Sequence, residues 1–186
     1  MLVKLLGVRG SLATPLRNAE YRDKLYGVLR EAVRAGLSDE SDIEAFLTEL
    51  PPDLRYVYGG DTTCVTVRPR PQDLPVIVDA VTGITPVGAE LMAGPCGRGE
   101  GVVHIFFTHT HWDHIQGLPF FRPMYVPGNE IHFYSPMEDL ASRLIRQQVD
   151  YYFPMPFEQT MSTKHFHTVT ADKPVELDDG TLVDFY

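Results

Sequence analysis

Residues 108–117 read Thr-His-Thr-His-Trp-Asp-His-Ile-Gln-Gly, and His109, His111, Asp113 and His114 place four metal-ligand types within six positions. Imidazole nitrogen and carboxylate oxygen suit zinc, iron or manganese. Asp113 and His114 are adjacent and cannot easily point at an ion shared by His109 and His111. The spacing therefore predicts two divalent ions, zinc before manganese or iron, one on His109 and His111 and the other on Asp113 and His114. Two such ions can share a bridging hydroxide, because metal binding can lower the pKa of water to about 7, and they can stabilise charge growing on a phosphoryl or carbonyl oxygen. A closed structural zinc site favours cysteine and is filled by four protein ligands. The run contains no cysteine, so it is read as a catalytic centre.

Ligands at this density need a rigid mount, and a loop fixed by a strand end supplies one. The run 102–107, Val-Val-His-Ile-Phe-Phe, predicts a strand buried on both faces, with His104 a satisfied core histidine rather than a ligand. Further strands are expected over 2–8, 63–68, 76–79, 131–134, 164–170 and 182–186, the second and third of these forming a hairpin. A helical stripe of Tyr21, Leu25, Val28, Leu29 and Val33 predicts a helix from Asn18, as its cap, to Gly36. Ser41 and Glu44 predict a capped second helix that Pro51 and Pro52 stop, and a short helix is expected near 86–92. Ser135, Pro136 and Glu138 carry three signals for the start of another. His165 and His167 alternate on one strand face and are read as a partly exposed pair, although both are in principle able to reach a metal. Strands and helices are mixed along the chain, so the class is α/β or α+β.

A length of 186 residues suits one domain. The net charge of −9 lacks the basic footprint of a nucleic-acid binder and favours a small phosphodiester-like substrate over a large nucleic acid. Cys64 and Cys96 are too few for a disulfide framework, so both are expected to be reduced thiols. Lys4 interrupts the opening apolar run, and no stretch approaches the roughly 20 apolar residues of a membrane span. The chain is accordingly read as cytoplasmic, with no membrane partner.

The His-x-His-x-Asp-His-x-x-Gly run at 109–117 resembles the signature of the metallo-β-lactamase superfamily. Gly7-Val8-Arg9-Gly10-Ser11, Tyr58-Gly59-Gly60-Asp61-Thr62-Thr63-Cys64 and Val78-Asp79-Ala80-Val81-Thr82-Gly83 are similar to stretches of its phosphodiesterase-like branch, which includes tRNA 3′-processing and cyclic-phosphodiester enzymes. The resemblance spans most of residues 3–160, apart from a helical insertion over 16–56. It implies an α+β fold, the four-layer αββα sandwich, with metals at one edge between the sheets. It implies metal-ligand roles for His109, His111, Asp113 and His114, and for Asp79 the orientation of a ligand histidine from behind. Asp113 and Asp79 are thus the candidate catalytic carboxylates.

The activity implied is hydrolysis of a phosphodiester by a metal-bound hydroxide. A thioester, lactone or lactam substrate is the first alternative, and a non-catalytic metal-binding or assembly module the second. Asp61 stands where the branch commonly has asparagine. Val81 stands where glycine is usual, so that turn is expected to follow a different backbone path. A complete member carries two further histidines and a bridging aspartate, for which no matching motif precedes Tyr186. The chain is therefore expected to be a single domain holding the N-terminal portion of the fold. An uncovered apolar sheet face would follow, to be covered by a homo-oligomer or a complementing segment.

Overall fold

The computed structural model describes residues 1–57, 59–70 and 73–184. In chain order the elements are β1 (Leu2–Leu6), α1 (Asn18–Ala35), α2 (Ile43–Glu49), α3 (Pro52–Arg55), β2 (Cys64–Arg68), β3 (Val76–Val78) and α4 (Ile84–Met92). They continue with β4 (Val102–Phe106), α5 (Trp112–Ile115), β5 (Glu130–Ser135), α6 (Leu140–Gln147), β6 (Thr163–Thr168), β7 (Val175–Glu176) and β8 (Leu182–Val183). Contacts divide the chain into two compact units, Met1–Ala13 with Asp61–Tyr186, and Thr14–Gly60.

The first unit is built on a six-stranded sheet in the order β1-β2-β3-β4-β5-β6. β1, β2 and β3 pair antiparallel, and the hairpin expected from the sequence is present, with Val65 opposite Val78. From β3 to β6 the pairing is parallel, with α4 and α6 in the connections. Alternation sends Val103 and Ile105 to one face of β4 and His104 and Phe106 to the other. The first face joins Ile77, Ile131 and Phe133 to Ile84, Val87 and Leu91 of α4 and Leu140 and Leu144 of α6 in the main core. This is the expected α+β class, a sheet with its helical layer.

The opposite face carries a smaller cluster of Val76, Phe106, Tyr134, Val169 and Leu177. A cavity of about 1050 Å³ opens on it, lined among others by Val67, Val78, Phe106, Val169 and Leu182. β7 and β8, of which only β8 was legible in the sequence, pair antiparallel beside it. The expected strand over 182–186 is described to Asp184, with Phe185 and Tyr186 outside the described residues.

The second unit holds α1, α2 and α3. α1 ends on Gly36 in the left-handed region at φ 68°, as the glycine signal required. Its first turn is closed by Arg17, not Asn18: the Glu20 carboxylate accepts from the Arg17 backbone N–H at 2.8 Å. Likewise Asp39, rather than Ser41, caps the turn before α2, accepting from the Ser41 backbone N–H at 2.8 Å. A carboxylate two or three residues away competes well for these amides, which the hydroxyl and amide signals alone did not weigh.

Ser135 is corrected for a different reason. It is the last residue of β5, where it pairs with Thr168, and its carbonyl accepts from the Val169 N–H at 3.0 Å. Its hydroxyl accepts from the Met137 N–H at 3.2 Å, so Ser135, Pro136 and Glu138 form a turn, and α6 begins only at Leu140. Among the described residues no helix is long and apolar enough to cross a membrane.

Candidate metal centre at the end of β4

Two neighbouring parallel strands, β3 and β4, end side by side, and the candidate residues follow both ends. The Asp79 N–H, directly after β3, donates to the Phe106 carbonyl at the end of β4 at 2.8 Å. Asp79 adopts φ 60°, a left-handed conformation that costs a non-glycine residue free energy and persists only where its surroundings fix it. The fixing contacts are clear. Its buried carboxylate accepts from the Thr108 N–H at 2.9 Å, the Thr108 hydroxyl at 2.8 Å and His114 Nδ1 at 2.7 Å.

The segment after β4 is stitched to the loop after β3 within α5 and just beyond it. Ala80 N–H donates to the His114 carbonyl at 2.9 Å, and Gly117 N–H donates to the Ala80 carbonyl at 2.8 Å. A Cβ on Gly117 would lie 2.0 Å from the Val81 carbonyl oxygen. Glycine is thus needed for close approach rather than for backbone freedom, since its φ is an ordinary −85°. Val81, the departure at the usual glycine, packs in the core.

The segments singled out in the sequence converge here. Thr62 N–H donates to the Thr82 hydroxyl at 2.9 Å and Thr82 N–H to the Thr62 hydroxyl at 3.0 Å. Arg9 N–H donates to the Asp61 carbonyl at 3.1 Å. The Ser11 hydroxyl, ahead of smaller influences, holds the Asp113 carboxyl below the usual aspartate range.

The structure brings His109, His111, Asp113 and His114 together on one loop. The His109 ring lies 4.5 Å from that of His111 and 4.0 Å from that of His114, centroid to centroid. His114 Nε2 is 3.6 Å from Asp113 Oδ2. The Thr108 hydroxyl, donating to Asp79, is free to accept from His109 Nδ1 at 3.0 Å. Both His109 and His114 therefore engage Nδ1 and leave Nε2 as the available donor atom, the arrangement a metal-ligating histidine needs. These side chains suit divalent metal in donor type and tautomer.

They do not close on one point. Among the described residues, the three His, Cys, Asp or Glu donors within 4.8 Å of one another are those of Glu130, His132 and His165, not any trio from the motif. Cys64, whose thiol approaches the Asp79 carbonyl at 3.5 Å, is buried; burial first and the Asp79 charge second push it up to about 12, so it is no nucleophile.

Sequence reasoning missed Thr108, whose hydroxyl links Asp79 to His109; its position between a strand end and the first histidine was the available signal. It also missed Glu130 as a partner of His132 and His165, because parallel register between distant strands is not written locally. His104 behaves as expected, buried with Nδ1 3.0 Å from the Tyr134 hydroxyl.

A family model described as a beta-lactamase superfamily domain matches residues 75–185, taking in Asp79 and the whole 109–117 run. No curated protein matches the chain significantly, and no solved structure does.

Proposed function

The chain belongs to the β-lactamase superfamily, and from that premise we propose that it is a metal-dependent hydrolase cleaving a small phosphodiester. Members of the superfamily are mostly hydrolytic and typically bind divalent metals. The observation that carries the reading is the pairing of His109 and His114 with Thr108 and Asp79 through Nδ1, which leaves Nε2 of both rings without a hydrogen bond on the segment that also bears His111 and Asp113. Divalent ions held there would activate water near neutral pH and stabilise charge on a phosphoryl oxygen. His109 and His111 would hold one ion, Asp113 and His114 the other, zinc being the best match to the donors. Asp79 is a positioning residue, fixing the His114 ring and, through Thr108, the His109 ring. The net charge of −9 supports a small substrate over a long polyanion.

The test is metal analysis of the purified chain followed by hydrolysis of bis(p-nitrophenyl) phosphate, with thioester, lactone and lactam substrates in parallel. Metal-dependent turnover of the phosphodiester, lost in His111→Ala, is the expected outcome. Activity unchanged by His111→Ala overturns the mechanism, and turnover confined to another substrate class overturns the phosphodiester assignment.

A further inference from the structure

A second group of metal-ligand side chains stands on the sheet itself. β5 and β6 run parallel with His132 opposite His165 and Tyr134 opposite His167, so alternation places Glu130, His132, His165 and His167 on one face. They lie toward the start of the parallel strands, where Glu130 pairs with Val102, whereas the 109–117 run follows the other end of β4.

The donor atoms there stand close to the spacing of a coordination shell. Glu130 Oε2 lies 3.2 Å from His165 Nε2 and 3.8 Å from His132 Nε2, and the three donor atoms are all within 4.8 Å of one another. Tetrahedral zinc with bonds of 2.0–2.1 Å sets its ligand atoms about 3.3 Å apart. His132 Nε2 is buried and has no hydrogen-bond partner, which is costly for a polar atom unless something else engages it. The other nitrogen of the same ring, Nδ1, is 3.0 Å from His167 Nε2. A proton on Nδ1 is donated to His167 and leaves the Nε2 lone pair available, the tautomer a ligand requires. Glu130 and His165 remain half exposed, so an ion has a path in.

We propose that Glu130, His132 and His165 form a divalent-metal site of zinc type, distinct from the 109–114 loop, with His167 positioning His132. Three protein ligands leave a fourth position for water or an outside donor. Two imidazoles with one carboxylate also suit iron(II), and cobalt(II) is a visible stand-in for either.

The experiment is equilibrium dialysis of the full chain against cobalt(II), read by metal analysis and by the visible absorption of bound cobalt. Glu130→Gln/His165→Gln is expected to hold one equivalent fewer than the unaltered chain, and His109→Ala/His111→Ala to retain that equivalent. Unchanged stoichiometry in Glu130→Gln/His165→Gln overturns the site. Circular dichroism checks that both variants fold. If either does not, the decision passes to the unaltered chain, labelled with diethyl pyrocarbonate and read peptide by peptide. Protection of His165 by zinc supports the site, and equal labelling with and without zinc overturns it.

Discussion

Asp79 Oδ2 lies 2.7 Å from His114 Nδ1, and this contact decides which ring nitrogen of His114 is left free. The same carboxylate accepts twice from Thr108. An amide has one acceptor oxygen and cannot serve all three donors. Asp79→Asn is therefore expected to fold, since asparagine tolerates the left-handed backbone, and to lower zinc affinity by roughly 10–100-fold. Competition against a chromophoric chelator measures it. Unchanged affinity would remove Asp79 from the centre.

Gly117 tests the close approach of the two loops. A Cβ there meets the Val81 carbonyl at 2.0 Å, and the obstacle is backbone, which cannot rotate aside. Gly117→Ala is expected to destabilise the fold by about 3 kcal/mol, the upper end for overpacking. Urea denaturation followed by tryptophan fluorescence reads the shift, with Gly10→Ala as the control because a Cβ at Gly10 meets nothing within 4 Å.

The histidines on the sheet make stability depend on pH. Burial, then His132, hold His104 below its ordinary value of 6.5; Asp178 and Asp179 oppose this, and His167 adds to it more weakly. The folded chain thus resists the proton that the unfolded chain accepts. The stabilisation is complete above pH 6.5 and is lost as pH falls below it toward the lower folded value. Thermal melts of metal-free protein are expected to show Tm falling below that pH, less steeply in His104→Gln. A Tm indifferent to pH between 7 and the acid limb of the carboxylates, at about 5, would refute the assignment.

The apolar face around Phe106, Val169 and Leu182 is proposed to be covered in solution by a second copy or a complementing segment. Light scattering of the purified chain is expected to report a dimer, or a monomer that binds a hydrophobic dye. A compact monomer that binds no dye would refute both.

The 109–114 cluster was legible because its four candidate ligands fall within six residues and follow an unmistakable apolar strand. The sheet was legible too, strand by strand, since alternation is a local property. What was not legible depends on pairing between distant residues. The Ser135 turn reads locally as a helix start, and only the ladder to Thr168 shows that the sheet claims its carbonyl. His165 was recognised as sharing a face with His167, but its meeting with Glu130 and His132 follows from a register that no local pattern encodes. The helix caps failed on smaller grounds, competing carboxylates at Glu20 and Asp39.

The helical unit enters and leaves through a closed doorway. Thr14 N–H donates to the Gly60 carbonyl at 2.7 Å, so its two ends are already clasped. A segment whose ends meet adds little to the entropy of closing the rest of the chain, whatever its length. It can therefore be exchanged as a cassette: a short connector joining Ala13 to Asp61 would leave the strand partners of β1 at their posts, and a foreign domain with adjacent termini could be grafted in its place.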